Sequence, residues 1–299
     1  MVETGLGLER ISKVFVVYRG YQGFCMTVWY FEALLAIAVS LSILMAVAWM
    51  VQQRTGNSGW VDTIWTFSVG LVGAGSALWL MDGSAPDARQ WLVAALVASW
   101  SLRLGSHIAA RTAGISDDPR YAAFAREWGV DSPRKMFMFL QNQGFGSIPL
   151  VFAILVAARF PEAGLRIQDG LGALILLVGI GGEALADAQL KNFRADPANK
   201  GRVCDAGLWR WSRHPNYFFE WFGWLAYPVM ALSIDHPLSY PWGWATLLAP
   251  VFMYWILVHV TGIPPLEAQM LRSRGERYRD YQLRTSMFFP LPPQKGLAT

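Results

Sequence analysis

Charge is scarce in this chain. Asp, Glu, Lys and Arg make up only 15% of its 299 residues, against about 25% in a soluble globular domain. That leaves too few charged side chains to cover a water-facing surface, and it also excludes disordered and coiled-coil chains. Cysteine is almost absent. Cys25 and Cys204 alone provide neither a disulfide framework nor a cysteine-based zinc site. The first 26 residues carry Arg10, Lys13 and Arg19 without a clean apolar core or a small-residue cleavage site, so no removable signal peptide is expected. Apolar and aromatic side chains abound instead. Hydrophobic residues reach 54%, with 15 Trp, 17 Phe and 10 Tyr, and the mean hydropathy is +0.30. The composition is that of a membrane protein.

Apolar runs long enough to cross ~30 Å of hydrocarbon fall at Thr27–Val51, Trp60–Leu80, Gln90–Ala110, Phe145–Phe160, Gly170–Ala188, Tyr217–Ile234 and Trp242–Ile263. The fourth has the least definite start, because apolar residues resume at Met136. Alternate segments between the spans hold 6 and 18 Lys and Arg residues, with Arg159 counted in the loop after its span. Cytosolic loops carry the excess of positive charge, which sets the N-terminus outside and the C-terminus in the cytosol. The expected fold is all-α, an integral membrane bundle of seven transmembrane helices. Residues 1–26 form an N-terminal extension and 27–299 a single multi-pass domain, in the inner membrane if the source is bacterial.

Ionisable side chains within spans are costly and point to function by default. Here they are Asp62, Arg103, His107, Glu183, Asp187, Glu220 and His259; the structural alternative for each is pairing between helices. Glu183, Asp187, Lys191 and Arg194 recur every three or four residues and share one helix face. Asp62, Asp187 and Glu220 fall toward the cytosolic ends of their helices, so a site opening to the cytosol is expected. A run that formally fits a dinucleotide fingerprint, Gly179 to Ala184, lies inside an apolar helix with no strand before it and is accidental.

The densest chemistry follows Asp187. Lys191, Arg194, Lys200, Arg202, Arg210 and Arg213 precede Pro215, which suits the first position of a helix. Asn216 and Glu220, four apart, then share a face of that helix. The basic loop alone is explained by topology or by anionic lipid. A helix start facing it is also a ready anion site, suited to a pyrophosphate.

At these residues the chain resembles the membrane steroid 5-alpha-reductases and their bacterial relatives. The resemblance is carried by the run from Gly207 through Trp209, Arg210, Trp211, Ser212, Arg213, His214, Pro215, Asn216 and Tyr217 to Glu220, with Asp187, Lys191 and Arg194 upstream. Val61 to Trp65, Leu102 to His107 and Gly275 to Tyr281 add further matches, and together they touch most of the chain from 50 to 290. The resemblance implies seven transmembrane helices and NADPH-dependent reduction of the C=C bond of an enone lipid, a 3-oxo-Δ4-steroid in the first place, to the 5-alpha-reduced product. Asp187, Arg194, Asn216 and Glu220 match the cofactor pattern, with Lys191 and Arg202 as phosphate partners and His214 and Tyr217 as walls. For catalysis the reductases use a Gln-Glu pair in the second helix and a Tyr in the third. Here the second helix offers Asp62, and the third offers Trp100 and Arg103. Asp62, as a protonated acid, Arg103, Trp100 and Glu220 are the expected catalytic set; the alternative for Asp62 is an ion pair with Arg103.

A rival resemblance is to isoprenylcysteine and phospholipid methyltransferases, which use S-adenosylmethionine. They share the Arg-His-Pro-x-Tyr helix start and an acidic–Gly–Tyr–Tyr pattern that Glu267, Gly275, Tyr278 and Tyr281 match, which adds Glu267, Tyr278 and Tyr281 to the expected cofactor contacts. Asn216 with Glu220, and the separate basic set, favour the reductase. A transporter would need a polar path through outer helix halves that are nearly all apolar. The expected partners are the bilayer, an apolar enone and NADPH, with no metal and no nucleic acid; the expected state is a monomer.

Overall fold

The computed structural model describes residues 3–79, 85–233 and 236–294, with side chains from residue 27 onward except at Pro119. Among them the chain is helical, with no β-strand beyond one isolated bridge between Ser212 and Ser286. The α-helices are α1 (Glu3–Thr55), α2 (Gly59–Leu78), α3 (Ala88–Ala113), α4 (Pro119–Trp128), α5 (Ser132–Gly146), α6 (Ile148–Ala158), α7 (Ile167–Ala195), α8 (Pro215–Trp224), α9 (Ala226–Ala231), α10 (Leu248–Trp255), α11 (Ile263–Arg274) and α12 (Glu276–Arg284). Among the described residues six helical segments are long and apolar enough to cross a membrane: Thr27–Thr55, Gly59–Leu78, Ala88–Ala113, Arg120–Ala158, Ile167–Ala195 and Pro241–Arg274. The protein is an integral, multi-pass membrane protein.

Two expected spans differ. The fourth begins well before Phe145: α5 and α6 follow each other with a bend at Ser147, where Pro149 lies in the first turn of α6. The sixth, expected as one helix over Tyr217–Ile234, is divided at Leu225 into α8 and α9. Pro228 has no N–H to offer the carbonyl of Trp224, four residues earlier, so the helix breaks there. α9 ends at Ala231, and Ile234 lies outside the described residues. The boundary expected after residue 26 falls within α1.

α6 is the centre of the bundle. Every residue from Leu150 to Ala158 is buried, as befits a helix apolar on all sides. α1 buries Tyr30, Ala33, Ile37, Leu41 and Met45 while Phe31, Leu35, Val39 and Ile43 stay exposed, one apolar face for the core and another for lipid.

The two ends of the bundle are held by different polar chemistry. At one end Arg89 of α3 is fully buried. Its Nε donates to Asp169 of α7 at 3.0 Å, and its other nitrogens reach the carbonyls of Phe160 at 2.9 Å, Glu162 at 2.6 Å and Gly164 at 2.5 Å. Arg166 bonds the Met230 carbonyl at the end of α9, and Tyr30 bonds Tyr240. The opposite end gathers Asp62, Arg120, Asp187 and Asn216. α8 and α9 together therefore run from the second end to the first.

Candidate active site

Three helices each contribute a pair of polar side chains at helical spacing: Trp100 and Arg103 from α3, Glu183 and Asp187 from α7, Asn216 and Glu220 from α8. The pairs meet. Arg103 lies between the two α7 carboxylates, 2.6 Å from Glu183 and 2.6 Å from Asp187. The second contact is a hydrogen bond, whereas the first is a close ion pair poorly aligned for one. Asn216 Nδ2 donates to Asp187 at 3.4 Å, and His107 Nε2 lies 3.5 Å from the same carboxylate. Glu220 receives two indole N–H bonds, from Trp100 at 2.8 Å and Trp224 at 2.9 Å. Two carboxylates thus share one guanidinium, and a third is held by neutral donors.

Glycine makes this meeting possible. A Cβ on Gly179 would come within 2.8 Å of the Gly223 Cα and 2.9 Å of the Phe219 carbonyl. Only bare backbone lets α7 and α8 approach so closely. Beside the contact is a narrow recess lined by Trp100, Phe219, Glu220, Trp224 and Tyr227. Its lining is mostly apolar.

Asp62 stands apart from Arg103, in contrast to the ion pair given above as its alternative. It neither pairs with Arg103 nor lacks a partner. One of its oxygens accepts from Arg120 at 2.5 Å and the other from the Tyr121 hydroxyl at 2.8 Å. The reason is the path of the chain after α3. Asn57 bonds the carbonyls of Thr112 and Ile115, and Asp117 accepts from the Ser58 N–H. These bonds fold the start of α4 over the start of α2, while Arg103 faces α7. Arg120 also binds Asp118 at 2.9 Å. Burial opposes ionisation of Asp118, but the Arg120 hydrogen bond and charge hold its carboxyl below the ordinary value.

The turn before α8 is fastened to the C-terminal helices. Glu267 of α11 accepts from Arg213 at 2.7 Å, from Gln282 at 2.7 Å and from His214 Nε2 at 3.0 Å. Arg213 also reaches the carbonyls of Gln282 and Thr285. Tyr281 bonds the Trp209 carbonyl, with Tyr278 buried beside it. Of the three residues expected as cofactor contacts from the second resemblance, Glu267 thus uses its hydrogen bonds on the side chains of Arg213, His214 and Gln282, and Tyr281 uses its own on the Trp209 carbonyl. His214 stacks on Tyr217 with ring centroids 5.7 Å apart. Its burial pushes the imidazole below its ordinary pKa, a shift that Glu267 opposes only in part. The neutral ring donates from Nε2 and keeps a buried Nδ1 with no partner.

Lys191, Arg194 and Arg202 are exposed at the same end. Among the described residues no carboxylate pairs with them, and Arg202 bonds only the Asn199 amide, at 3.2 Å. No group of His, Cys, Asp or Glu among the described residues could hold a metal ion.

Helical spacing brings together Trp100, Arg103, Asp187, Asn216 and Glu220 as a set. It also signalled Glu183 and His107 as polar groups within spans, and Trp224 lies one turn after Glu220. Arg120 and Tyr121 carry no such signal, because the segment before α4 has no periodicity.

No curated protein and no solved structure matches the chain. The family model described as "Protein of unknown function (DUF1295)" matches residues 48–285, a stretch that holds α2 to α12 and every side chain of the site, and the chain belongs to the DUF1295 family.

Proposed function

We propose that the protein reduces the C=C bond of an apolar enone, in the first place a 3-oxo-Δ4-steroid, to the 5-alpha-reduced product with NADPH inside the membrane. The observation that carries this reading is the meeting of Asp187, Asn216 and Glu220 beside an apolar recess. These are the positions at which the chain resembles the cofactor pattern of steroid 5-alpha-reductases.

The residues present suit such a cofactor. Asn216 and Glu220 offer a donor and an acceptor on one helix face, as a carboxamide requires. Among the described residues Lys191, Arg194 and Arg202 have no carboxylate partner and so suit phosphates, and the His214 Nδ1 is free there to accept a hydrogen bond. Bound NADPH supplies a hydride. The protein's part is to orient the enone, exclude water and stabilise charge developing on the ketone oxygen, where donors act strongly in a dry site. Arg103 pairs with both α7 carboxylates, and Trp100 and Trp224 fix Glu220. Asp62 accepts from Arg120 and Tyr121 at a distance from this set. In this reading α8 and α9 make a seventh, broken crossing. The N-terminus lies outside and the C-terminus and cofactor mouth face the cytosol, and the protein works as a monomer.

The test is binding followed by turnover in detergent. The purified protein should retain NADPH but not S-adenosylmethionine, and should oxidise NADPH when given progesterone. Arg194→Ala should weaken NADPH binding more than NADH binding, because only NADPH carries the 2′-phosphate. Retention of S-adenosylmethionine in place of NADPH would move the reading to a methyltransferase.

A further inference from the structure

After α12 the chain exposes large apolar side chains where no membrane-crossing helix accounts for them. The sequence from Phe289 reads Phe-Pro-Leu-Pro-Pro. Proline keeps such a run out of a helix, and the segment lies along the turn before α8. The Arg213 N–H donates to the Ser286 carbonyl at 2.8 Å, and the Leu291 N–H to the Trp211 carbonyl at 3.0 Å. Extended backbone sends successive side chains to opposite faces. Phe288 is buried against Tyr217, Phe218 and Trp221, whereas Met287, Phe289 and Leu291 are exposed. Leu283 of α12 is 73% exposed and Trp211 is 44% exposed. A water-facing surface rarely gathers so many apolar groups without a partner.

Two observations say what covers this ridge. The first is its continuity with the lipid-facing side of the bundle. The Phe289 ring lies 5.6 Å from that of Trp221 on α8 and 6.3 Å from that of Tyr254 on α10. α10 belongs to a membrane-crossing segment and exposes Leu248, Val251 and Trp255, so the ridge begins where lipid already covers the protein. The second is charge. Arg210, beside Trp211, is exposed and its side chain has no hydrogen bond or ion pair among the described residues. Arg284, beside Leu283, meets only the Asp280 carbonyl at 3.3 Å and the half-exposed Asp205 carboxylate at 3.7 Å. Apolar side chains rimmed by tryptophan and arginine suit the zone between acyl chains and headgroups.

We propose that Trp211, Leu283, Met287, Phe289 and Leu291 form a lipid-docking surface in the leaflet at the Asp62 and Asn216 end of the bundle. The apolar side chains enter the acyl boundary, and Arg210 and Arg284 lie against lipid phosphates. This holds whichever reaction the site performs. The same segment grips the turn that starts α8. Ser212 Oγ donates to the Phe288 carbonyl at 2.8 Å, and Arg213 to the carbonyls of Gln282 and Thr285. Lipid beneath the ridge therefore clamps that turn, and the start of α8 with it, to the bilayer surface.

The full chain, with Cys25→Ser and Cys204→Ser, can carry single nitroxide labels in nanodiscs of phosphatidylcholine and phosphatidylglycerol. Labels at Leu283→Cys and Leu291→Cys should be relaxed more by oxygen than by a water-soluble nickel chelate. They should resemble a label at Val251→Cys, on the lipid face, and differ from one at Lys200→Cys, in an exposed loop. A label at Arg210→Cys should fall between these references, at headgroup depth. Access of the chelate to residues 283 and 291 equal to that at 200 would overturn the proposal. So would dipolar broadening between labels at 291 with loss of access to both reagents, which would make the occupant a second copy of the chain. A second measurement uses Leu283→Asp with Leu291→Asp, which changes only exposed side chains and should keep the native circular dichroism in detergent. In nanodiscs its ridge should leave the lipid, and trypsin should cut after Arg284 severalfold faster than in the native chain. Equal rates of cutting would also overturn the proposal, and neither result bears on the reductase reading.

Discussion

Asp62 takes its partners from a segment far away along the chain. A carboxylate near the end of a span is expected to seek a proton or a cation, and here it finds Arg120 and Tyr121, both from the segment that folds over α2. Asp62→Asn should lower stability by about 1–3 kcal/mol, the scale for leaving a partly buried charge without its partner. Asp62→Arg combined with Arg120→Asp should recover part of the loss. The same exchange with Arg103 should recover nothing, and thermal unfolding in detergent compares the two. His214 carries a second residue-scale prediction. Its folded pKa lies below the unfolded value of about 6.5, so the unfolded chain binds the proton more readily. Stability should therefore be level above about pH 6.5 and fall as the pH drops below it, by at most ~1.4 kcal/mol per pH unit from this group. His214→Gln should flatten that slope in melting curves taken from pH 8 to pH 5.

At the scale of elements, α7 against α8 governs the site. Alanine at 179 meets backbone, the Gly223 Cα and the Phe219 carbonyl, whereas alanine at 182 meets the Phe219 ring, which can swing aside. Gly179→Ala should cost about 1–3 kcal/mol, the usual price of overpacking, and Gly182→Ala less. Gly179→Ala should also reduce turnover, because separating the helices draws Glu220 from Trp100. Equal melting temperatures for the two variants would count against this packing. Much of this arrangement was legible beforehand. Trp100 with Arg103, Glu183 with Asp187, and Asn216 with Glu220 each lie at a spacing that only a helix turns into one face. The break at Leu225 was not, because an apolar run reads as continuous and Pro228 marks only where continuity fails.

At the scale of the whole molecule, the division of basic residues between alternate segments agrees with a bundle whose two ends are chemically distinct. Lys191 lies at the end beside Asp187, and Leu238 is exposed in the segment between α9 and α10, toward the other end. Lys191→Cys should react with a membrane-impermeant maleimide only from the cytosolic face of sealed vesicles, and Leu238→Cys only from the opposite face. Reaction of both from one face would mean that α8 and α9 do not cross. What sequence could not supply at this scale was the path of residues 114–131. That stretch lacks periodicity, and its place is set by bonds to Asn57, Ser58 and Asp62 far away along the chain.

The buried pair of Arg89 and Asp169 has a consequence for biogenesis. The two residues belong to α3 and α7 and are fully enclosed only when the Phe160 to Gly164 turn wraps the guanidinium. A chain delivered to the membrane from its N-terminus exposes Arg89 long before Asp169 arrives. Until then the guanidinium must stay hydrated at the interface, and the first three crossings cannot settle into their final depth. Arrival of α7 removes that restraint and, on the other half of that helix, brings Glu183 and Asp187 to Arg103. One insertion event thus closes the lock at one end of the bundle and assembles the polar cluster at the other.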